Sequence, residues 1–234
     1  MRWTKIALSF VAGLSLAACS SSGQGRESTS APENVQQFKV GEELDPGKFA
    51  SRVFETPATF TVPGGWKVFE DEPGQLGLAR IANDGPPLLI LRDIDAAAAG
   101  CITKPEQGVG REAADLSQWL TDRKGLVTTE PVPVLVGGLS GYVMDVSLDP
   151  SWTKTCPDIT PEPSVMTIVG SPPLSSGVLW GPERARMQRM WFLDLPTVEN
   201  GNIVVMGDVC CGVDEDDQLS ADQEIVDSLS FDTT

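Results

Sequence analysis

Four cysteines beyond residue 100 have the most definite chemistry in this 234-residue chain. In an exported chain an even number of cysteines predicts disulfides. Cys101 and Cys156 lie in segments rich in Gly, Pro and Thr, where a covalent link stabilises long connections, so we predict a disulfide between them. The alternative pairs each of them with Cys210 or Cys211, because a bond between those two neighbours closes a strained ring.

Two clusters near the C-terminus have metal-ligating side chains. The thiolates of Cys210 and Cys211 are suited to Cu(I) or to a redox switch, but no Met or His stands beside them and the chain has no Cys-x-x-Cys. Asp214–Asp217 offers oxygen ligands without the spacing of a calcium loop. We therefore interpret the cysteines as structural and the acidic run as a solvated turn that favours a following helix. No metal and no cofactor is predicted.

A group of three arginines departs from the acidic background of the chain. Arg184, Arg186 and Arg189 lie within six positions and are followed by Trp191. Guanidinium groups bind carboxylates and phosphates, so these four residues form a candidate binding site for an anion or an acidic partner. The simpler interpretation is that the arginines point outward from a strand and discourage pairing along its edge.

Composition excludes several classes of function. With no histidine, the chain has no Ser-His-Asp or Cys-His nucleophile and no His-ligated metal. The acidic residues Glu70, Asp71 and Glu72 are candidates for general acid–base chemistry only by composition, and no Gly-x-Ser-x-Gly or Ser-x-x-Lys motif occurs. A net charge of -16 argues against nucleic acid as a partner. We therefore predict that the protein is not an enzyme.

The N-terminus has the pattern of an export signal. A basic start is followed by the uncharged, mostly apolar run Ile6 to Ala18, which is shorter than the roughly 20 residues of a membrane-spanning helix. The sequence Leu16-Ala17-Ala18-Cys19 resembles the lipobox of bacterial lipoproteins. The resemblance implies cleavage of the 1–18 signal peptide and attachment of acyl chains such as palmitate at Cys19. Ordinary cleavage at the small residues, with Cys19 unmodified, is the alternative.

This interpretation predicts how the chain is organised and where it is found. Residues 19–37 are rich in Ser, Gly, Pro and Gln and are expected to form a flexible tether. Residues 38–234 have the composition of one packed domain. We expect the domain to be held at the extracytoplasmic face of the cell membrane by the lipid on Cys19.

Strand signals outnumber helix signals in the domain. Gly137-Gly138 separates two β-prone runs and predicts a two-residue hairpin. Leu116, Trp119 and Leu120 have helical spacing, and a second helix is predicted from Ser220 onward by its capping-box spacing with Gln223. The predicted strands are Thr59–Val62, Trp66–Phe69, Leu76–Ile81, Leu88–Leu91, Val132–Val136, Leu139–Leu148, Gln188–Leu195 and Asn202–Val209.

The run Thr59 to Trp66 and the segments Ala113 to Gly125, Gly137-Gly138 and Ile225 to Leu229 resemble PsbP-like lipoproteins of actinobacteria. The resemblance implies an α+β fold, a mainly antiparallel sheet with two packing helices in an α/β/α sandwich. We expect a non-enzymatic binding module for a protein partner or an apolar ligand. The alternatives are a chaperone-like accessory of a surface secretion or assembly system and, third, a hydrolase that uses carboxylates or a metal.

Overall fold

The computed structural model describes residues 34–82, 85–170, 179–199, 201–210, 212 and 214–233. They belong to one compact unit, Asn34–Thr234. Gln36, which the composition assigned to the tether, forms a parallel bridge with Phe49, and its backbone N–H donates to the Lys48 carbonyl (2.8 Å). The predicted signal peptide, Cys19 and most of the predicted tether lie outside the described residues.

Strands make up most of the regular structure. In the first half of the chain they are β1 Glu43–Leu44, β2 Gly47–Ala50, β3 Ala58–Val62, β4 Trp66–Glu72, β5 Gln75–Arg80, β6 Leu88–Arg92 and β7 Ile94–Ala96, followed by helix α1 Ala113–Asp122. The remaining elements are β8 Leu126–Thr128, β9 Val132–Val136, β10 Leu139–Leu148, β11 Thr155–Cys156, β12 Thr160–Pro163, β13 Ile168–Gly170, β14 Leu179–Trp180, β15 Met187–Leu195, β16 Gly201–Val209, α2 Glu215–Ser228 and β17 Ser230–Phe231.

A nine-stranded antiparallel sheet is the centre of the fold. Its order is β1-β4-β5-β6-β16-β15-β10-β8, and β9 also pairs with β10. The long strands β15 and β16 lie in the middle and are apolar on both faces, which is typical of strands covered from both sides. Alternate residues of β15 therefore belong to different cores: Trp191 packs into one hydrophobic cluster and Phe192 into the other.

Each face of the central sheet is covered by both strands and a helix. One core lies between the sheet, α2 and a small sheet of order β17-β3-β2. The other core contains α1 together with residues of β7 and β13, which pair in a second small sheet with β14. The result is a β-rich antiparallel sandwich.

The predicted α+β class, with its PsbP-like α/β/α arrangement, is therefore wrong. All eight predicted strands and both predicted helices are present, but segments such as Gly47–Ala50, Ile94–Ala96 and Ile168–Gly170 are strands as well. These short strands cover parts of the sheet faces that the α/β/α model assigned to helices. Their few residues have no periodicity long enough to reveal them in the sequence.

The helix ends differ in detail from the prediction. Helix α2 begins at Glu215, five residues before the predicted start, because Asp214 caps it: its Oδ1 accepts from the Asp217 N–H (2.9 Å). The acidic run thus forms the cap and first turn, where negative charge is favourable. Helix α1 has no side-chain cap, and the Ala113 N–H instead donates to Asp194 Oδ1 of β15 (2.7 Å).

The predicted hairpin between β9 and β10 is confirmed. Gly137 and Gly138 have φ of 60° and 89°, and the two strands pair in antiparallel register on either side of them. Positive φ at both central residues is the requirement of a type I′ turn, which matches the twist of the flanking strands. In the described part of the chain, no helix has the length and apolarity to cross a membrane.

Candidate functional site

A cleft of about 760 Å³ opens beside the disulfide, and we name it the disulfide cleft. Four chain segments form its walls. They are the loop after β7, the C-terminal end of α1, the connection that leads into β11, and the residues that precede β13. The side chains that matter most for its chemistry are Trp119, Arg123, Lys124, Trp152, Lys154, Ser164 and Met166.

A buried asparagine ties the cleft-bearing segments to the central sheet. Asn202 of β16 is fully buried; its Oδ1 accepts from the Ile94 N–H and its Nδ2 donates to the Ile94 and Arg111 carbonyls, each at 2.8 Å. These bonds hold both β7 and the segment that enters α1. Two of the segments that lead into the cleft walls are therefore fixed to one residue of the central sheet, Asn202.

The predicted disulfide between Cys101 and Cys156 is confirmed, with a Cα–Cα distance of 5.5 Å. Both cysteines line the cleft. Cys101 has a φ of 59°, a left-handed conformation that non-glycine residues adopt where their surroundings hold them. Cys210 is buried and also disulfide-bonded, whereas Cys211 lies outside the described residues.

Trp119 and Arg123 form one wall of the cleft. The guanidinium carbon of Arg123 lies 4.5 Å from the centre of the Trp119 ring, a cation–π contact between successive turns of the chain at the end of α1. Arg123 Nη2 also donates to the carbonyls of Ala98 (3.4 Å) and Met166 (3.3 Å). Burial lowers the pKa of Arg123, and the nearby Glu106 carboxylate partly opposes this effect. Arg123 thus joins three segments of the wall.

Trp152 and Lys154 form another part of the wall. The Lys154 ammonium lies 5.1 Å from the centre of the Trp152 ring, and Trp152 Nε1 donates to the Ser164 carbonyl (3.0 Å). Gly125, with φ of 90°, packs against the six-membered ring: a Cβ at this position would lie 2.6 Å from ring carbons. Glycine is therefore required here both by backbone conformation and by the close approach of the indole.

One polar atom at the cleft has no protein partner. Ser164 is 3% exposed, and its Oγ makes no hydrogen bond in the described part of the chain. Buried hydroxyl groups are normally hydrogen-bonded, so this fully buried Oγ is an exception among the polar groups near the cleft. The Ser164 N–H donates to the Lys154 carbonyl (3.0 Å), which places these two residues side by side.

The charge of the lining differs from that of the chain. The chain has 33 acidic and 17 basic residues. The lining has three basic side chains, Arg123, Lys124 and Lys154, against two acidic ones, Asp122 and Asp158. Asp122 accepts a hydrogen bond from Gln118 Nε2 (3.0 Å). Arg123 is also ion-paired with Glu106 (3.6 Å), so the charges around the cleft are balanced, unlike those of the chain as a whole.

The four residues predicted as an arginine–tryptophan binding site do not come together. Trp191 is 1% exposed and packs in the core. Arg189 makes a two-pronged ion pair with Asp145 directly across the β10–β15 ladder, at 2.7 and 2.8 Å. Strand β15 lies in the interior of the sheet, between β16 and β10. The alternative prediction, that the arginines discourage pairing along a strand edge, therefore does not hold for Arg189 either.

Arg184 and Arg186 lie in the turn before β15 and line a second cavity of about 570 Å³. Arg186 faces Glu183 (3.4 Å) and Asp208 (3.9 Å), while Arg184 Nη2 donates to the Trp152 carbonyl (3.3 Å). Arg186 is thus already close to two carboxylates, which reduces its attraction for a further anion.

Four carboxyl groups have raised pKa values, which is a property of catalytic acids. Burial is the largest cause for Glu70, Asp71, Asp208 and Asp222, and it raises the pKa of Asp222 to about 7. None of the four lines either cavity described above. Asp222 lies against Gly207, whose neighbour Asp208 points to the other face of the sheet. The four carboxyl groups therefore do not converge on one cavity.

Among the described residues, no three Cys, Asp or Glu side chains are grouped as metal ligands. The prediction about Cys210 and Cys211 as a pair falls partly on a residue that the structure does not describe. The residues that sequence reasoning missed are those of the disulfide cleft. Trp119 followed by Arg123 four positions later, and Trp152 followed by Lys154, were the signals that could have indicated it.

No protein-family model matches the chain, and no curated protein matches it significantly. Among solved structures, a protein from Bacteroides thetaiotaomicron VPI-5482 is similar, with 13% sequence identity and a TM-score of 0.40. The match covers 81% of this chain and 49% of that chain, so this chain spans about half the length of the Bacteroides protein. We assign no family from this likeness.

Proposed function

We propose that this protein is an exported lipoprotein, anchored through Cys19 to the extracytoplasmic face of the cell membrane, whose domain is a non-enzymatic binding module. Its ligand is an apolar small molecule that occupies the disulfide cleft. The observation that carries the proposal is the cleft itself. It has the volume of a small-molecule site, and two tryptophans stand in its walls.

Two features support export and anchoring. The Cys101–Cys156 disulfide is consistent with an oxidising compartment outside the cytoplasm. The lipobox-like sequence at Leu16–Cys19 follows a basic start and a short apolar run. Two or three acyl chains hold a protein stably on a membrane, whereas one chain does so only marginally. The strong negative charge of the chain disfavours contact with anionic headgroups, which leaves the anchoring to the lipid.

A protein partner is the second candidate, and a specific surface favours it. Strands β8 and β9 lie along the outer side of β10, and three of their aliphatic side chains are strongly exposed: Val127 by 52%, Val132 by 55% and Leu135 by 72%. An exposed apolar group at a sheet edge is a common site of protein contact. Val132 and Leu135 are three positions apart and point to opposite faces of the sheet, so the exposed edge as a whole, and not one patch on a face, is what a partner of an accessory, chaperone-like protein would meet.

Replacing Cys19 by Ala tests the anchor. We expect the unchanged protein, expressed in a lipoprotein-processing bacterium with an alkyne-labelled fatty acid, to carry the label and to sediment with membranes. The Cys19→Ala variant is expected to lose the label, since the thiol that carries the acyl chains is absent. An unlabelled wild-type protein that stays with the membrane would contradict the lipoprotein assignment.

A neutral fluorescent probe tests the cleft. We expect N-phenyl-1-naphthylamine to bind the wild-type domain with enhanced emission. Gly125→Ala should weaken this binding about tenfold, equal to about 1.4 kcal/mol, because the added Cβ would lie 2.6 Å from the Trp152 ring and this residue of the cleft wall must then move.

Gly138→Ala is the matched control for backbone strain. Its φ of 89° is nearly that of Gly125, but a Cβ there meets nothing within 4 Å. Both variants should lose about 1 kcal/mol of unfolding free energy through backbone strain, Gly125→Ala should lose more because of its contact with the Trp152 ring, and only Gly125→Ala should lose the probe. Equal effects of the two variants on probe binding, or no binding by the wild type, would refute the proposal for the cleft and leave the protein-partner alternative.

A further inference from the structure

We infer that Pro133 keeps the edge of the central sheet at β9 from pairing with the same edge of a second copy of the chain. This property of the edge is independent of the disulfide cleft. A protein that binds at this edge therefore makes side-chain contacts and does not add a strand to the sheet. The length of β9, the direction of its backbone groups and the position of its proline lead to this inference.

Strand β9 is the longest described strand at an edge of the central sheet. Strands β1 and β8, at the two ends of the main strand path, have two and three residues, whereas β9 has five. A very short edge strand offers few backbone groups for pairing. In β9, Val132, Pro133 and Leu135 are all exposed, Leu135 by 72%. A longer, exposed and apolar edge is a template for another strand unless something blocks it.

The hairpin between β9 and β10 determines which backbone groups of β9 point outward. Val136 and Leu139 are paired on either side of the two-residue turn, and in this turn type such a pair exchanges hydrogen bonds between the two strands. The direction of the backbone N–H and C=O groups alternates from one residue of a strand to the next. The backbone groups of Leu135 and Pro133 therefore point away from β10, towards the open side of the edge.

Pro133 lies where self-pairing would need a hydrogen-bond donor. Two copies of β9 in antiparallel orientation would pair Pro133 of each copy with Leu135 of the other. Each such pair normally exchanges two N–H···O=C bonds, one in each direction. Proline has no N–H, so one bond of each pair is missing, and the proline ring faces the Leu135 carbonyl that the N–H would have reached.

The other symmetric register, centred on Leu135, is limited by β17. It would pair Pro133 of one copy with Gly137 of the other. Gly137 is already bridged to Ser230, and its carbonyl accepts from the Phe231 N–H (3.2 Å). This register therefore cannot extend beyond its central pair. Pro133 thus blocks the register that would otherwise give the longer ladder.

Replacing Pro133 by Thr tests the inference, because Thr restores the N–H and is well suited to a strand. The mature chain with Cys19→Ala, which has no acyl chains, is studied by sedimentation equilibrium in enough salt to screen its negative charge. We expect Pro133→Thr to self-associate about tenfold more tightly than the unsubstituted chain, because the dimer gains two hydrogen bonds. The Leu135 amide should exchange its hydrogen more slowly in the dimer. Pro133→Val repeats the test with an apolar residue.

Two controls separate strand pairing from the general effect of losing a proline. Pro150→Thr removes an exposed proline that lies outside the strands, and it should leave self-association unchanged. Pro133→Thr/Leu135→Pro moves the proline to the other outward position of β9 and should abolish the added self-association. Both β9 positions are exposed and their backbone groups point away from β10, so we expect these variants to fold.

Three results would overturn the inference. The first is that Pro133→Thr and Pro133→Val associate no more tightly than the unsubstituted chain. The second is a dimer that Leu135→Pro does not dissociate, because its contact is then not made through the β9 backbone. The third is a dimer of the unsubstituted chain with slow exchange at the Leu135 amide, which would mean that the edge is open despite Pro133. Binding of the fluorescent probe to the cleft is measured separately and does not affect these outcomes.

Discussion

Replacing Asp222 by Asn is expected to raise the free energy of unfolding by up to about 4 kcal/mol at pH 8 and to leave it unchanged near pH 3. Asp222 is 1% exposed on the inner side of α2, and burial raises its pKa from 3.8 to about 7. Asn keeps the oxygen that accepts from Gln218 Nε2 (2.9 Å) and removes the charge.

The sign follows from where the carboxyl group releases its proton. Below pH 3.8 it is protonated in both states, so the substitution changes little. Between about pH 4 and 7 the unfolded chain loses this proton while the folded protein retains it, and the folded state loses relative stability. Above pH 7 both states are ionised and the wild-type protein carries the full cost of a buried charge. The gain from Asn should therefore grow between pH 4 and 7 and then level off.

The same helix supplies a matched control. Gln223 Nε2 donates to Asp227 Oδ1 (2.7 Å) with the same four-residue spacing as the Gln218–Asp222 pair, but Asp227 is exposed. Asp227→Asn should change the unfolding free energy by less than about 0.5 kcal/mol at either pH. Urea unfolding at several pH values measures both variants. A gain from Asp222→Asn that does not depend on pH would contradict the buried-charge explanation.

Removing the disulfide is expected to cost about 4 kcal/mol of unfolding free energy, because the bond closes a loop between residues 55 positions apart. The segment around it has little other stabilisation. Its own hydrophobic cluster consists of Ala97, Cys156, Met166 and Val169, with Cys101 packed against them. The variant Cys101→Ala/Cys156→Ala keeps this cluster mostly apolar and removes only the covalent link.

Urea unfolding of the double variant at pH 7, with wild type as reference, measures this cost. Both cysteines line the cleft, so binding of N-phenyl-1-naphthylamine should also weaken, as the loop after β7 is no longer tied to β11. Cys210 remains in place in this variant. A loss of less than about 1 kcal/mol would mean that the packing of the segment, and not the disulfide, holds the cleft together.

Short-range signals explain what was predicted correctly. The glycine pair Gly137-Gly138 adopts the positive φ values of a hairpin turn, and the apolar run Leu139–Leu148 forms one continuous strand. Turn chemistry and side-chain alternation act within a few residues, so they can be read along the chain. The Cys101–Cys156 pairing is confirmed as well, although the spacing of the cysteines also allows pairing with Cys210 or Cys211.

The predicted fold class was wrong because several strands that cover the central sheet are too short to be recognised in the sequence. Strand β7 has three residues, and they are buried because β13 pairs beside them and the central sheet lies beneath. An isolated three-residue segment has no pattern that distinguishes strand from loop. Several such strands, and not helices alone, cover the faces of the large sheet, and this was decided by pairing between distant segments.

The sequence by itself determined the long strands, the two helices and the hairpin, and it excluded every mechanism that needs histidine. Only the tertiary structure placed Trp191 in the core, paired Arg189 with Asp145, and brought Trp119 and Trp152 to the same cleft. It also buried Asp222, on which the pH dependence rests. Burial and convergence depend on contacts between residues far apart in the chain, which local patterns do not record.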